Sequence, residues 1–318
     1  MSIELLKEKW SSSLKSKYPS YDEKQMVKHL ENIYVTFLDS GCCDPKFSSQ
    51  IMAEQGYQYD HALAEMLFYD VLVTQGFDVK ENDGSGPDFI AEKEGNLCAF
   101  ELISPSISIN DNGNQKDFHD SYNAHKQSIL FAGAKRFPEH DREIFLKITS
   151  GLFTKQKKFK EYLDSQKVSS DIPLIVVIND SILCPPNLPM YGVSHSASIG
   201  FPPIVAKATL MNETISNNND KPVELSGFLN DTLSHISAVM QVTLRDDYGF
   251  VQYQKQERSE TFLRLTEIVK DYDLVVNPNS KVMFSGDLLN MNTFFIDAQG
   301  KIKGLPAKSI LNKQDLEQ

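Results

Sequence analysis

Between Tyr57 and Gln75 the positions Leu63, Leu67, Val71 and Thr74 recur at helical spacing, with no proline inside and glycine at both borders, Gly56 and Gly76. Residues three and four apart share one helix face, so the pattern predicts a helix that ends at Gly76 and passes into a strand, Phe77-Asp78-Val79-Lys80. The period then changes. Phe89-Ile90-Ala91 and Leu97-Cys98-Ala99-Phe100 are short β-prone runs, and Glu94-Gly95-Asn96 between them has turn chemistry, which predicts a hairpin. Helical spacing returns from Phe145 to Ser165, where Ile148, Leu152, Phe159 and Leu163 form one stripe. The continuous run Leu174-Ile175-Val176-Val177-Ile178 then reads as a strand buried on both faces.

Polar residues interrupt this pattern at informative places. Side chains alternate along a strand, so Glu101 projects opposite to Phe100 and Leu102, and Asp88 shares the face of Ile90 at the hairpin's entry. If the two strands are adjacent, both carboxylates lie at one end of the sheet. Hard divalent cations use such pairs, with water and substrate phosphate completing the shell. The plainer alternative has Asp88 closing a loop and Glu101 facing solvent on an edge strand. Glu65 lies at the edge of the first helix's apolar stripe, one turn after His61, and is either a third carboxylate for the same region or a helix-surface glutamate. In the later helix, the stripe's missing member is Lys155, where the period calls for an apolar residue. A buried ammonium is costly unless paired, so Lys155 asks for a carboxylate or phosphate partner, unless its stem carries the charge past the apolar layer to water. Lys157, Lys158 and Lys160 read as solvated charges.

Taken in order, these motifs resemble the PD-(D/E)XK nuclease superfamily, the restriction-endonuclease-like fold. The resemblance rests on Ala64-Glu65-Met66-Leu67-Phe68 followed by Gln75-Gly76-Phe77, on Gly86-Pro87-Asp88-Phe89, on Phe100-Glu101-Leu102-Ile103 and on the Lys155 helix, and it covers residues 57 to 180. It implies an α/β fold with a core of helix, three-stranded meander, helix and strand. It also implies metal-dependent phosphodiester hydrolysis, with DNA as the expected substrate. In that family the Asp and Glu bind Mg²⁺ (or Mn²⁺), the helical Glu often completes the site, and a Lys orients or activates the attacking water. Those roles would fall here on Asp88, Glu101, Glu65 and Lys155, with the Leu102 carbonyl as an extra metal ligand. The family's Lys normally stands two residues after the Glu, where this chain has Ile103; some members move it to the following helix, and Lys155 fits that variant. Without Lys155 at the site, the chain would be a non-catalytic binding or scaffold protein on a degenerate nuclease fold. An effector or toxin acting on another phosphate-bearing substrate is the third reading. The Ser104-Pro105 step, Ile236-Ser237-Ala238-Val239 and Asp273-Leu274-Val275-Val276-Asn277-Pro278 resemble a subgroup of stand-alone bacterial and prophage proteins.

Composition bounds these readings. The 318 residues suffice for one elaborated domain or two small ones. The expected organisation is a helical segment over 1–55, the nuclease-like core over 56–182 and an α+β elaboration over 183–318. In the last, Ile204 to Leu210 reads as a strand, Leu229 to Val242 as a helix, Phe250 to Tyr253 and Leu274 to Val276 as strands, and Asn292 to Ile296 pairs with Lys301 to Lys303 as a closing hairpin. The net charge of -11 argues against a simple nucleic-acid binder, though local cations at His125-Lys126, Lys135-Arg136, Lys147 and Lys155 to Lys160 can still track a backbone. No apolar run long enough to span a bilayer and no signal-like amino terminus is present, and four cysteines without zinc spacing make no disulfide framework. A reducing cytoplasm is the expected compartment, and a homodimer the expected assembly for cutting both strands of a duplex. His195, in a Ser-rich loop, lacks an identifiable third partner and is not expected to be catalytic.

Overall fold

The computed structural model describes residues 3–19, 22–53, 56–81, 84–105, 139–183, 204–217, 220–248, 272–297 and 300–305. The helices, in chain order, are α1 (Ile3–Lys17), α2 (Lys24–Asp39), α3 (Phe47–Ile51), α4 (Tyr57–Thr74), α5 (Glu139–Asp164) and α6 (Ile204–Leu210). The strands are β1 (Asp78–Val79), β2 (Phe89–Lys93), β3 (Asn96–Ile103), β4 (Leu174–Asn179), β5 (Thr214–Ser216), β6 (Pro222–Glu224), β7 (Ala238–Val242), β8 (Asp273–Val276), β9 (Asn292–Ile296) and β10 (Ile302–Leu305).

Two local devices place the centre of the fold. Where α4 ends, Gly76 takes φ 82°, its N–H bonds to Val73 O (2.9 Å), and the Phe77 N–H bonds to Leu72 O (3.0 Å). This paired closure of the last turn needs a left-handed residue, which glycine supplies without a Cβ clash. It also turns Phe77 into the core, where its ring meets Phe100 edge-on at 5.8 Å. The hairpin turn is Glu94-Gly95, with φ 53° and 79°. Two positive-φ residues match the twist of the flanking strands, and they set Lys93 opposite Asn96 and Phe89 opposite Phe100.

An eight-stranded sheet runs in the order β1-β2-β3-β4-β7-β8-β9-β10, and β5 and β6 form a separate pair. β2 and β3 are antiparallel, whereas β3, β4 and β7 are parallel neighbours. Four of the strands contributed by residues after 183, β7 to β10, therefore continue the same sheet. Helices cover both faces. On one, Phe100, Leu102, Ile175, Val177, Ala238 and Met240 pack with α1 to α4; on the other, Ala99, Leu174, Val176, Ile178 and Val239 pack with α5 and α6. This alternation explains why β4 is apolar at every core position. Phe68 anchors α4 to the hairpin, 5.6 Å from both Phe89 and Phe100. A fully buried phenylalanine of this kind contributes about 1.5–3 kcal/mol.

Two expectations for the carboxy-terminal half are corrected. Leu229 to Val242 is not a helix: a short 3-10 turn, Asp231–Leu233, is followed by β7. Leu229, Leu233, Ile236 and Met240 happen to repeat at helical spacing, but Ala238–Val242 is a short run whose residues are all buried between β4 and β8, and strand pairing there satisfies the backbone as well. Ile204–Leu210 is α6 rather than a strand, and the Thr209 hydroxyl bonds back to Val205 O at 2.7 Å. The expected strand at Phe250 to Tyr253 lies outside the described residues, as do His125, Lys126, Lys135, Arg136 and His195. Among the described residues, no helix is long and apolar enough to cross a membrane.

Candidate active site

Asp88 stands one residue before Phe89, whose partner is Phe100, so the hairpin register sets Asp88 across from Glu101. Paired residues on neighbouring strands send their side chains to the same face. α5 crosses that face, and Lys155 descends from it onto both carboxylates. Its Nζ is 3.4 Å from Asp88 Oδ2 and in direct contact with Glu101 Oε2. The structure thus brings together three of the residues singled out in the sequence.

Burial makes the contact consequential. The Glu101 side chain is 1% exposed and that of Lys155 14% exposed. Desolvation and the charge of Asp88 raise the Glu101 carboxyl above its ordinary value, against the pull of Lys155 and Lys158. Asp88 is also desolvated, yet its carboxyl is held below the usual range by Lys155, Lys158 and the Leu102 N–H, which donates to Oδ2 at 2.7 Å. Burial works against the Lys155 charge, but Asp88 and Glu101 outweigh it and its ammonium pKa is raised. N–H and C=O of one strand residue leave on the same edge, so the Leu102 carbonyl faces the edge where Asp88 stands.

Lys158 is the residue that periodicity mislabelled. It was expected to be a solvated charge, but its Nζ lies 3.1 Å from Glu101 Oε1 and 3.3 Å from Oε2. Hydrogen-bond geometry is satisfied only to Oε2, so Oε1 is buried without a donor. The signal was present: Lys155, Lys158 and Tyr162 fall three and four residues apart, on one face of the helix. The Tyr162 ring lies 5.4 Å from Lys158 Nζ, and burial followed by the charge of Glu101 pushes its phenol up.

Glu65 remains outside the contact set of Lys155. Its Oε1 is 3.4 Å from His61 Nε2, and His61 is stacked on Tyr57 at 5.8 Å. Burial, then repulsion from Asp88 and Asp44, pushes the Glu65 carboxyl up to about 8, so it is largely protonated at neutral pH. Burial lowers the neighbouring imidazole's pKa, which keeps His61 neutral.

Ile103, two residues after Glu101, packs in the apolar layer under α5: a Cβ on Gly151 would meet its Cδ1 at 3.0 Å. Among the described residues, no group of three or more His, Cys, Asp or Glu side chains is close enough to hold a metal. Two carboxylates nevertheless suffice for a Mg²⁺ ion that keeps water and takes substrate phosphate. The undonated Oε1 of Glu101 and the shared position of Asp88 suit such a hard cation.

Neither a family model, nor a curated protein, nor a solved structure matches the chain.

Proposed function

We propose that this protein is a metal-dependent nuclease that hydrolyses phosphodiester bonds, with DNA as the substrate class. The observation that carries this reading is Lys155: a cation on the sheet-facing stripe of α5 that reaches both Asp88 and Glu101. An apolar residue there would complete the stripe at no electrostatic cost, so the lysine answers a demand other than packing.

The chemistry follows from the charges present. Mg²⁺ or Mn²⁺, when bound, supplies Lewis-acid polarisation of the phosphodiester and stabilises charge building on the leaving oxygen. Asp88 and Glu101 would hold it, with the Leu102 carbonyl at the same edge. Lys155 donates to an attacking water, fixing it beside the carboxylates and in line with the phosphorus. Glu65, neutral at pH 7, stands near Asp88 without adding to the negative charge there.

One observation favours a second reading, a binding protein on an inactive nuclease fold. Lys155 and Lys158 already balance the charges of Asp88 and Glu101 without a metal. The two readings separate in a cleavage assay on supercoiled plasmid, single-stranded DNA and RNA, with Mg²⁺ or Mn²⁺ or with chelator. Metal-dependent cutting of at least one substrate supports the nuclease; intact substrates under every condition support the binding protein.

A further inference from the structure

The nuclease reading leaves Lys158 without a role, and its geometry differs from that of Lys155. Both ammonium groups bond to the same oxygen, Oε2, of a carboxylate that is 1% exposed. Lys155 is 14% exposed and also touches Asp88, whereas the Lys158 side chain is 40% exposed and contacts Glu101 alone among these carboxylates. Lys155 is the inner, fixed cation. Lys158 is the outer one, with water on one side and the Tyr162 ring on another.

Resting on the nuclease reading, we propose that Lys158 is a positioning residue that occupies Glu101 until a divalent cation is taken up, then turns outward to bind a phosphate of the substrate. The charge count motivates it. Asp88 and Glu101 are balanced by Lys155 and Lys158, so the metal-free site presents little net charge to a polyanion. A divalent cation adds two positive charges, which one phosphodiester and a hydroxide nucleophile would cancel. Glu101 cannot serve both cations equally, and Lys158 is the partner with access to solvent. Metal uptake then weakens its hold on Glu101 and releases a lysine at the mouth of the site. Competition for Glu101 and cooperation with the substrate phosphate are the two consequences, and linkage makes the cooperation reciprocal.

The test uses the full chain, with Mn²⁺ uptake measured by calorimetry on wild type, Lys158→Gln, Lys158→Arg and Lys157→Gln. Lys158→Gln is expected to bind Mn²⁺ about fivefold to tenfold more tightly, the scale of removing a half-exposed competing charge. Lys158→Arg should stay near wild type, and Lys157→Gln, on an exposed position of the same helix, should not change. A short phosphorothioate DNA duplex is then titrated with Ca²⁺ or with chelator. Ca²⁺ should tighten binding to wild type, and Lys158→Gln should lose most of that gain. Equal Mn²⁺ affinity in wild type and Lys158→Gln, or a Ca²⁺ gain that survives the substitution, overturns this proposal alone. Failure of wild type to take up Mn²⁺ overturns the proposal and the nuclease reading together.

Discussion

Gly151 lies directly over Ile103: a Cβ on the glycine would stand 3.0 Å from Ile103 Cδ1 and 3.4 Å from its Cγ2. The helix can approach β3 this closely only where it carries no side chain. Lys155 sits one turn further along the same helix, and the close approach lets its ammonium touch Glu101. The apolar residue at 103 and the lysine at 155 are thus linked. An apolar residue at 103 provides the seat for α5, and α5 delivers the lysine.

Gly151→Leu should force α5 away from β3. A destabilisation of about 1–3 kcal/mol is expected, as for overpacking elsewhere, read as a lower urea midpoint at unchanged slope. Ile103→Ala in the same background should recover part of the loss by making room. Additive losses would show that the two side chains do not share the space.

Removing one partner of a buried ion pair costs more than replacing both. Lys155→Met leaves Glu101 with Lys158 as its remaining cation and Asp88 as a near repulsion, at an expected cost of about 3 kcal/mol. Glu101→Gln together with Lys155→Met should cost less than the sum of the two single changes. A double-mutant cycle by urea unfolding measures the coupling, and a coupling near zero would contradict the contact.

Glu65 makes stability depend on pH. Its carboxyl rises from an ordinary 4.5 to about 8 in the folded chain. The folded protein therefore keeps a proton that the unfolded chain gives up between those values. This contribution is complete below the unfolded pKa and is lost as pH rises through the folded one, by an amount on the order of 5 kcal/mol at most. Glu65→Gln keeps the neutral shape and removes the titration. Its stability should fall less than that of wild type between about pH 5 and pH 8; parallel curves would contradict the assignment.

Beyond the carboxy-terminal end of β7, Lys17 of α1 pairs with Asp246, and the Tyr18 hydroxyl donates to Asp247 Oδ2 at 3.1 Å. Arg245 closes the network with two bonds to Asp247, at 2.9 and 2.6 Å. Lys17→Ala should cost about 3 kcal/mol by leaving Asp246 buried without its cation. Amide exchange should accelerate in α1 before it does in β3 and β4; uniform acceleration would mean that α1 is not held locally.

Local chemistry was the legible part of this fold. Gly76 after a helical stripe, Glu94-Gly95 between two β-prone runs, and Lys155 in an apolar register each carry their physical cause within a few residues. Those signals located α4, the β2–β3 hairpin and α5, along with Asp88, Glu101 and Lys155 in contact. Pairing between distant segments was not legible. The Lys17 to Asp246 contact spans 229 residues, and no periodicity encodes it. β7 is ambiguous in the sequence because a short run buried on both faces also fits a helix repeat, and only β4 and β8 on either side decide the matter. The role of Lys158 is not legible either, because a run of lysines resembles a solvated face until the position of Glu101 is known.

The central claim is that Asp88, Glu101 and Lys155 form one catalytic unit, and single-turnover cleavage of the best substrate tests it most directly. Wild type, Asp88→Asn and Lys155→Met, each checked for an intact fold by its thermal transition, are compared across a Mg²⁺ titration. Metal-dependent cleavage by wild type that falls at least about a hundredfold in both variants is the predicted result, the scale on which acid–base and charge-stabilising groups contribute. Cleavage that persists without metal, or that survives either substitution, would contradict it.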